Sequence, residues 1–165
     1  MKKMLLVHCL LGVAVTCCAQ QHASSTSWAA QTIKTKAGFL NDINARAAGD
    51  FLKRYRDADE ATWYQITEGF AVFFNQKNIK TKAVYDKNGN WQYTMRFYKE
   101  QQMLHSIRHI VKREYYDFTI TQVEEIHYQN QPVVYVVHMQ DDSTWMNVRV
   151  SEGEMQVLEK YSKSK

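Results

Sequence analysis

The side chains that could bind a metal or move a proton are few, and their spacing decides what each could do. His105 and His109 stand four apart in a helix-like run, a separation that can bring two imidazoles to one side of a helix. Between them lies Ser106-Ile107-Arg108, with no glutamate to serve as the base of a zinc protease and no third ligand indicated. The pair is therefore expected to be a solvated flank. His127 and His138 fall on neighbouring strand-like runs and could meet across them, with a surface or cross-strand pair expected rather than a pH switch. Glu124 and Glu125 are adjacent, and neighbours on a strand point to opposite faces, so they cannot form a carboxylate dyad. Asp141-Asp142-Ser143 has the composition of a turn in which aspartate accepts hydrogen bonds from the backbone just ahead of it. The chain carries no G-x-S-x-G elbow, phosphate loop or dinucleotide fingerprint, and only 6 glycines from which to build one. These residues predict no catalytic group, no metal and no cofactor.

The aromatic content, 13%, is the more informative stock. Asp86-Lys87-Asn88-Gly89-Asn90 reads as a tight hairpin, with Asn88 and Gly89 suited to positive φ. After it, Trp91, Tyr93, Met95 and Phe97 alternate with Gln92, Thr94, Arg96 and Tyr98, the period-2 pattern of a strand with two unlike faces. The apolar set is expected in the core. Gln92, Thr94, Arg96 and Tyr98 are then expected on the opposite face, joined by Trp145, Asn147 and Arg149. A broad sheet surface bearing Tyr, Trp and Arg has the composition of a partner-binding surface.

These residues are placed by two helices and eight strands. Asn41 or Asp42 can cap a helix whose apolar face is Ile43, Ala47, Ala48, Phe51, Leu52 and Tyr55, with Lys53, Arg54 and Arg56 at its C-terminal end. Gly49 within it costs up to about 1 kcal/mol relative to alanine. Asp57 to Glu60 is expected to end the helix. Strands are expected at 62–67, 70–75, 80–85 and 90–98, separated by short turns, which implies an antiparallel meander. A second helix is spaced by Met103, Leu104, Ile107, Ile110, Val111 and Tyr115, and further strands follow at 118–128, 133–139, 144–150 and 155–161. Phe51 to Tyr55 echoes Val111 to Tyr115, so the order reads as an internal repeat, about 41–98 and 103–161. Pro132 stands at a strand start, where a sheet tolerates it. No Gly/Ser/Pro linker parts the halves. The predicted fold is α+β, with two tandem helix-plus-four-strand antiparallel repeats in a single domain over 39–165 and both helices on one face of the sheet.

The first 19 residues read differently. Lys2 and Lys3 precede an apolar run from Met4 to Val15, and Cys17-Cys18-Ala19 leads into Gln20-Gln21. This is the layout of a secretory signal peptide cut near Ala19-Gln20, too short for a transmembrane span. Acylation of Cys17 or Cys18 is the less favoured reading, because Thr16 or Cys17 would occupy the position where a lipobox prefers a small residue. Cleavage removes all 3 cysteines, so the mature chain would be periplasmic or secreted without disulfides. Residues 20–38, rich in Gln, Ser, Thr and Ala, read as a lead-in. The formal charge of +4 falls by two with the leader lysines, too little and too dispersed to select nucleic acid.

The motifs also resemble a family. Trp63-Tyr64, Gly69-Phe70, Val84 to Trp91, Tyr115 with Thr119-Ile120-Thr121 and Val123-Glu124, and Asp141 to Val150 stand in the order seen in the PepSY-like, beta-lactamase-inhibitor-like family of exported bacterial proteins. The resemblance spans roughly 41–161. It implies a helix-plus-antiparallel-sheet repeat with a broad sheet surface, no catalytic residues, and a binding or inhibitory role in the envelope. Asp57-Ala58-Asp59-Glu60 after the first helix departs from the aromatic link Tyr116-Asp117-Phe118 of the second half. The expected partner is an envelope protein or peptide. The alternative is a small-ligand or enzymatic cone-shaped α+β domain, which would want its helices ahead of the sheet and a buried ionisable residue within.

Overall fold

The computed structural model describes residues 44–164. The expected leader, lead-in and helix caps at Asn41 and Asp42 lie outside the described residues. Within them the chain is α+β, with two helices and one antiparallel sheet of eight strands. Helix α1 (Ala45–Arg54) precedes β1 (Ala58–Ile66), β2 (Gly69–Gln76), β3 (Ile79–Asp86) and β4 (Trp91–Tyr98). Helix α2 (His105–Glu114) precedes β5 (Thr119–Tyr128), β6 (Val134–Gln140), β7 (Thr144–Ser151) and β8 (Glu154–Ser162). The strands lie in sequence order from β1 to β8, so every pairing closes a local hairpin except β4 with β5, which spans α2.

Helix α1 starts where Asn44 offers its side-chain oxygen to the Arg46 N–H at 2.9 Å, satisfying one of the orphan donors of a helix end. Lys53 and Arg54 close it, matching the negative end of the macrodipole. Asp57 to Glu60 does more than end the helix, because β1 already begins at Ala58. The ladder there slips between Asp59 and Thr62, with Glu60 at φ 53, a bulge that bends the edge strand. Helix α2 follows a 3₁₀ turn at Glu100–Gln102 and is anchored to it by Arg108, whose Nε donates to Glu100 at 2.8 Å.

The helices cover one face through two hydrophobic clusters. Ala47, Phe51 and Tyr55 of α1 pack on Phe70, Val72, Phe74, Ala83 and Tyr85. Val111 of α2, with Met103, packs on Tyr98, Val123, Val137, Val148 and their neighbours. Phe51 meets Trp63 and Phe74 edge-on at ring centroid distances of 5.4 and 5.1 Å, a favoured aromatic geometry. Polar side chains lie in the seam between the clusters: Thr81, Thr94 and Glu125 are buried there.

The expected placement of β4 is overturned. Val84 pairs with Tyr93, but Tyr85 pairs with Trp91, leaving Gln92 without an opposite residue. One extra residue in a strand inverts the alternation beyond it. Trp91 therefore points under α1, with its neighbours in the first cluster, and past the bulge Thr94, Arg96 and Tyr98 take the same covered side. Thr94 is 6% and Tyr98 5% exposed. Tyr93, Met95 and Phe97 lie on the uncovered side, half-buried, and are not the core expected of them. The preceding hairpin also differs from expectation: Gly89 takes φ 78, while Asn88 is not among the positive-φ residues. The Asp86 carboxylate makes the turn instead, accepting from the backbone N–H of Asn88 at 2.9 Å and of Asn90 at 2.8 Å.

Candidate functional site

The uncovered face of the sheet is the candidate site, and its residues follow from register. Next to β1 and β2, Tyr64 pairs with Ala71, and Phe73 lies opposite Lys82. Lys82 in turn lies opposite Met95, and Met95 opposite Ile126. One row over, Val84, Tyr93 and Tyr128 are consecutive partners. Toward the far edge, Val136 pairs with Arg149, His138 with Asn147, Gln140 with Trp145, and Trp145 with Tyr161. Neither described helix covers this side.

Several of its aromatic rings meet each other as well as water. Tyr64 and Phe73 sit edge-on at 5.4 Å, and Tyr93 and Tyr128 lie 5.7 Å apart. Phe73 is 42% exposed, with the Lys82 ammonium 5.6 Å from its ring centre. Burial pulls the Lys82 amine below its ordinary range. Large apolar side chains left this exposed on one continuous surface are uncommon in a chain without a binding role.

Of the seven residues expected to bind a partner, four reach accessible positions. Trp145, Asn147 and Arg149 lie on the uncovered face through their pairings with Gln140, His138 and Val136. Gln92 is exposed at the bulge, its amide 3.3 Å from Asp86. Thr94, Arg96 and Tyr98 are withdrawn into the seam under the helices. Tyr55 and Thr94 share a hydrogen bond, and the Trp91 indole N–H donates to the Thr94 hydroxyl at 2.9 Å. Arg96 donates to Glu125 Oε1 at 3.0 Å, and the Tyr98 hydroxyl donates to Oε2 at 2.6 Å. The residues that replace them, Tyr64, Phe73, Tyr93, Met95, Phe97, Tyr128 and Tyr161, were hidden because β2 is apolar on both faces and β4 changes phase at Gln92.

The two adjacent glutamates serve opposite faces. Glu125, 7% exposed, holds Arg96 and Tyr98 on the covered side, with His127 Nε2 2.6 Å away. Burial alone would raise its carboxyl, but bonds from His127, Tyr98 and Arg96 outweigh it and hold the group at about 2. Glu124 faces the other way and lies 3.1 Å from His138 Nε2. That bond outweighs burial and raises the imidazole above its ordinary value. His127 and His138 do not meet across the strands: His127 pairs with Thr94 and His138 with Gln122 and Asn147, on opposite sides of the sheet. His105 and His109 are exposed on α2. Among the described residues no group of three or more His, Cys, Asp or Glu is placed to hold a metal. Asp141 forms the expected turn, its Oδ1 accepting from the N–H of Ser143 at 2.7 Å and of Thr144 at 2.6 Å.

No family model matches this chain, and no curated protein does. Solved structures do. A DUF2874 family protein from Bacteroides ovatus superposes with a TM-score of 0.62 at 13% identity, over 73% of this chain and 87% of that one. A BLIP-like protein from Bacteroides fragilis gives 0.62 at 16% identity, over 73% and 86%. A candidate periplasmic protein from Bacteroides eggerthii gives 0.61 at 12% identity, over 73% and 88%. At these identities the likeness is one of fold, and the fold is BLIP-like.

Proposed function

We propose that this chain is an exported, non-enzymatic binding module that takes up a protein or extended peptide of the cell envelope on the open face of its sheet. The partly exposed aromatic surface of Tyr64, Phe73, Tyr93 and Tyr128, extended by Arg149, Asn147 and Trp145 toward β8, carries this reading. Its rings offer anchors that lose water on contact, the usual seat of binding energy in an interface. Eight strands in sequence order give it the breadth that a macromolecule needs. A BLIP-like relative in fold supports binding or inhibition as the role. Export is supported by the signal-like first 19 residues and by the candidate periplasmic neighbour, and no described helix is long and apolar enough to cross a membrane. The PepSY-like side of the resemblance rests on the sequence motifs. We also read the halves as copies of one unit, since each runs helix and then four strands.

The cone-shaped enzyme is the weaker alternative. It wants a buried ionisable group available for chemistry, whereas both Glu125 oxygens are engaged by Arg96, Tyr98 and His127. To test the binding reading, envelope extract is passed over the immobilised chain, the captured protein is purified, and its affinity is measured against variants. Phe73→Glu and Tyr128→Glu should each weaken it by about tenfold or more, with melting temperature little changed. Equal affinity of both variants would remove this face as the site.

A further inference from the structure

The corner built by β6, β7 and β8 differs in chemistry from the aromatic patch at the other end. Trp145 and Tyr161 are register partners, 58% and 59% exposed. Both rings line a depression of about 460 Å³, and both border a second of about 530 Å³, within the usual size of small-ligand sites. The first is surrounded by planar hydrogen-bonding groups. Asn147 donates through Nδ2 to Glu159 at 2.7 Å, and His138 is held both by Glu124 at 3.1 Å and by the Asn147 side chain, which fixes both side chains. Gln122 and Gln140 also line it, and their side-chain amides make no hydrogen bond among the described residues.

Charge narrows the ligand further. Lys163 donates to the Asp141 carbonyl at 2.5 Å while its ammonium lies 5.6 Å from the Trp145 ring centre, and His138 is already paired with Glu124. Among the described residues the two cations at this corner, Lys163 and His138, thus already have partners, and the Glu159 carboxylate at its side disfavours an anion. An aliphatic side chain would cover the rings but strand the two glutamine amides without partners, a costly outcome once water is excluded. A molecule with a flat apolar face and a rim of hydroxyls satisfies both the rings and the amides. We propose that this corner binds an uncharged pyranose sugar, stacked on Trp145 and Tyr161 with its hydroxyls taken by Gln122 and Gln140. The site goes beyond the protein-binding reading and does not depend on it.

The test is titration of the purified chain with maltotriose, cellotriose and triacetylchitotriose, with no protein partner present. Binding is followed through the indole N–H resonance of Trp145, assigned with Trp145→Phe. A saturable shift with at least one sugar is expected. Trp145→Ala and Tyr161→Ala should each weaken it by about tenfold, while Tyr161→Phe should keep most of the affinity. Both alanine changes fall on exposed positions, and an unchanged melting temperature verifies that they leave the fold intact. Absence of a saturable shift with all three sugars overturns the site, as does unaltered affinity in both alanine variants.

Discussion

At the residue scale, the pair Glu124 and Glu125 shows how a strand gives two identical side chains different work. Peptide geometry sends them to opposite faces, and each acquires its own histidine. On the covered face, Glu125 is buried and must be satisfied, since an unpaired carboxylate there would cost several kcal/mol. Its carboxyl is depressed from an ordinary 4.5 to about 2. A depressed folded value means that the contribution to stability is complete above 4.5 and is lost as pH falls toward about 2. Denaturation midpoints measured across that window should therefore decline in the wild type. Glu125→Gln should flatten the decline and cost about 3 kcal/mol at neutral pH, because Arg96 loses its counter-charge under the helices. A variant with the wild-type acid limb would show that the limb belongs to another group.

At the element scale, the contact between the β3–β4 hairpin and the start of α1 is governed by one glycine. Gly89 sits at φ 78, and a Cβ there would lie 2.6 Å from Asn44 Oδ1 and 2.8 Å from the Ala47 backbone nitrogen. The same contact lets the Asn44 amide donate to the Lys87 carbonyl at 3.1 Å, so the cap of the helix is also the clasp of the turn. Gly89→Ala should destabilise the protein by about 1–3 kcal/mol through clash and backbone strain. Gly49 is the counter-example: within α1, a Cβ would meet nothing within 4 Å. Gly49→Ala should therefore stabilise by up to about 1 kcal/mol, the helix-propensity difference. Chemical denaturation of the two variants should give opposite signs; destabilisation by Gly49→Ala would mean that α1 is held away from solvent at that position.

At the scale of the whole molecule, one layer of eight strands is packed under helices on one side and, among the described residues, uncovered on the other. Neighbouring residues of β2 measure that difference directly. Phe74 is 4% exposed, under α1, and touches Phe51 and Tyr55 at 5.1 and 4.8 Å between ring centres. Phe73 is 42% exposed on the opposite side. Phe74→Ala should cost about 3–5 kcal/mol, as large-to-small changes in a packed aromatic core do. Phe73→Ala should cost clearly less, about 1 kcal/mol, since over two fifths of its surface is already in water. Equal losses would mean that both faces are covered in solution, and the binding surface would have to be sought elsewhere.

The amino-acid sequence by itself determined the number and order of elements. Hydrophobic period and turn residues are local properties, and a meander of hairpins uses mainly local pairings. The eight strands therefore stand where the alternations at 62–67 through 155–161 put them, within a few residues. The division of labour between Glu124 and Glu125 was equally legible, because it follows from strand geometry alone. Which side of β4 faces the helices was decided only by tertiary structure. The unopposed Gln92 shifts the pairing by one residue after Trp91, and Thr94, Arg96 and Tyr98 are carried inward because Tyr55 and Glu125 satisfy their polar atoms there. A bulge is a relation between two strands, and the partner that makes a polar side chain buriable comes from elsewhere in the chain, so neither is written in the alternation of a single strand.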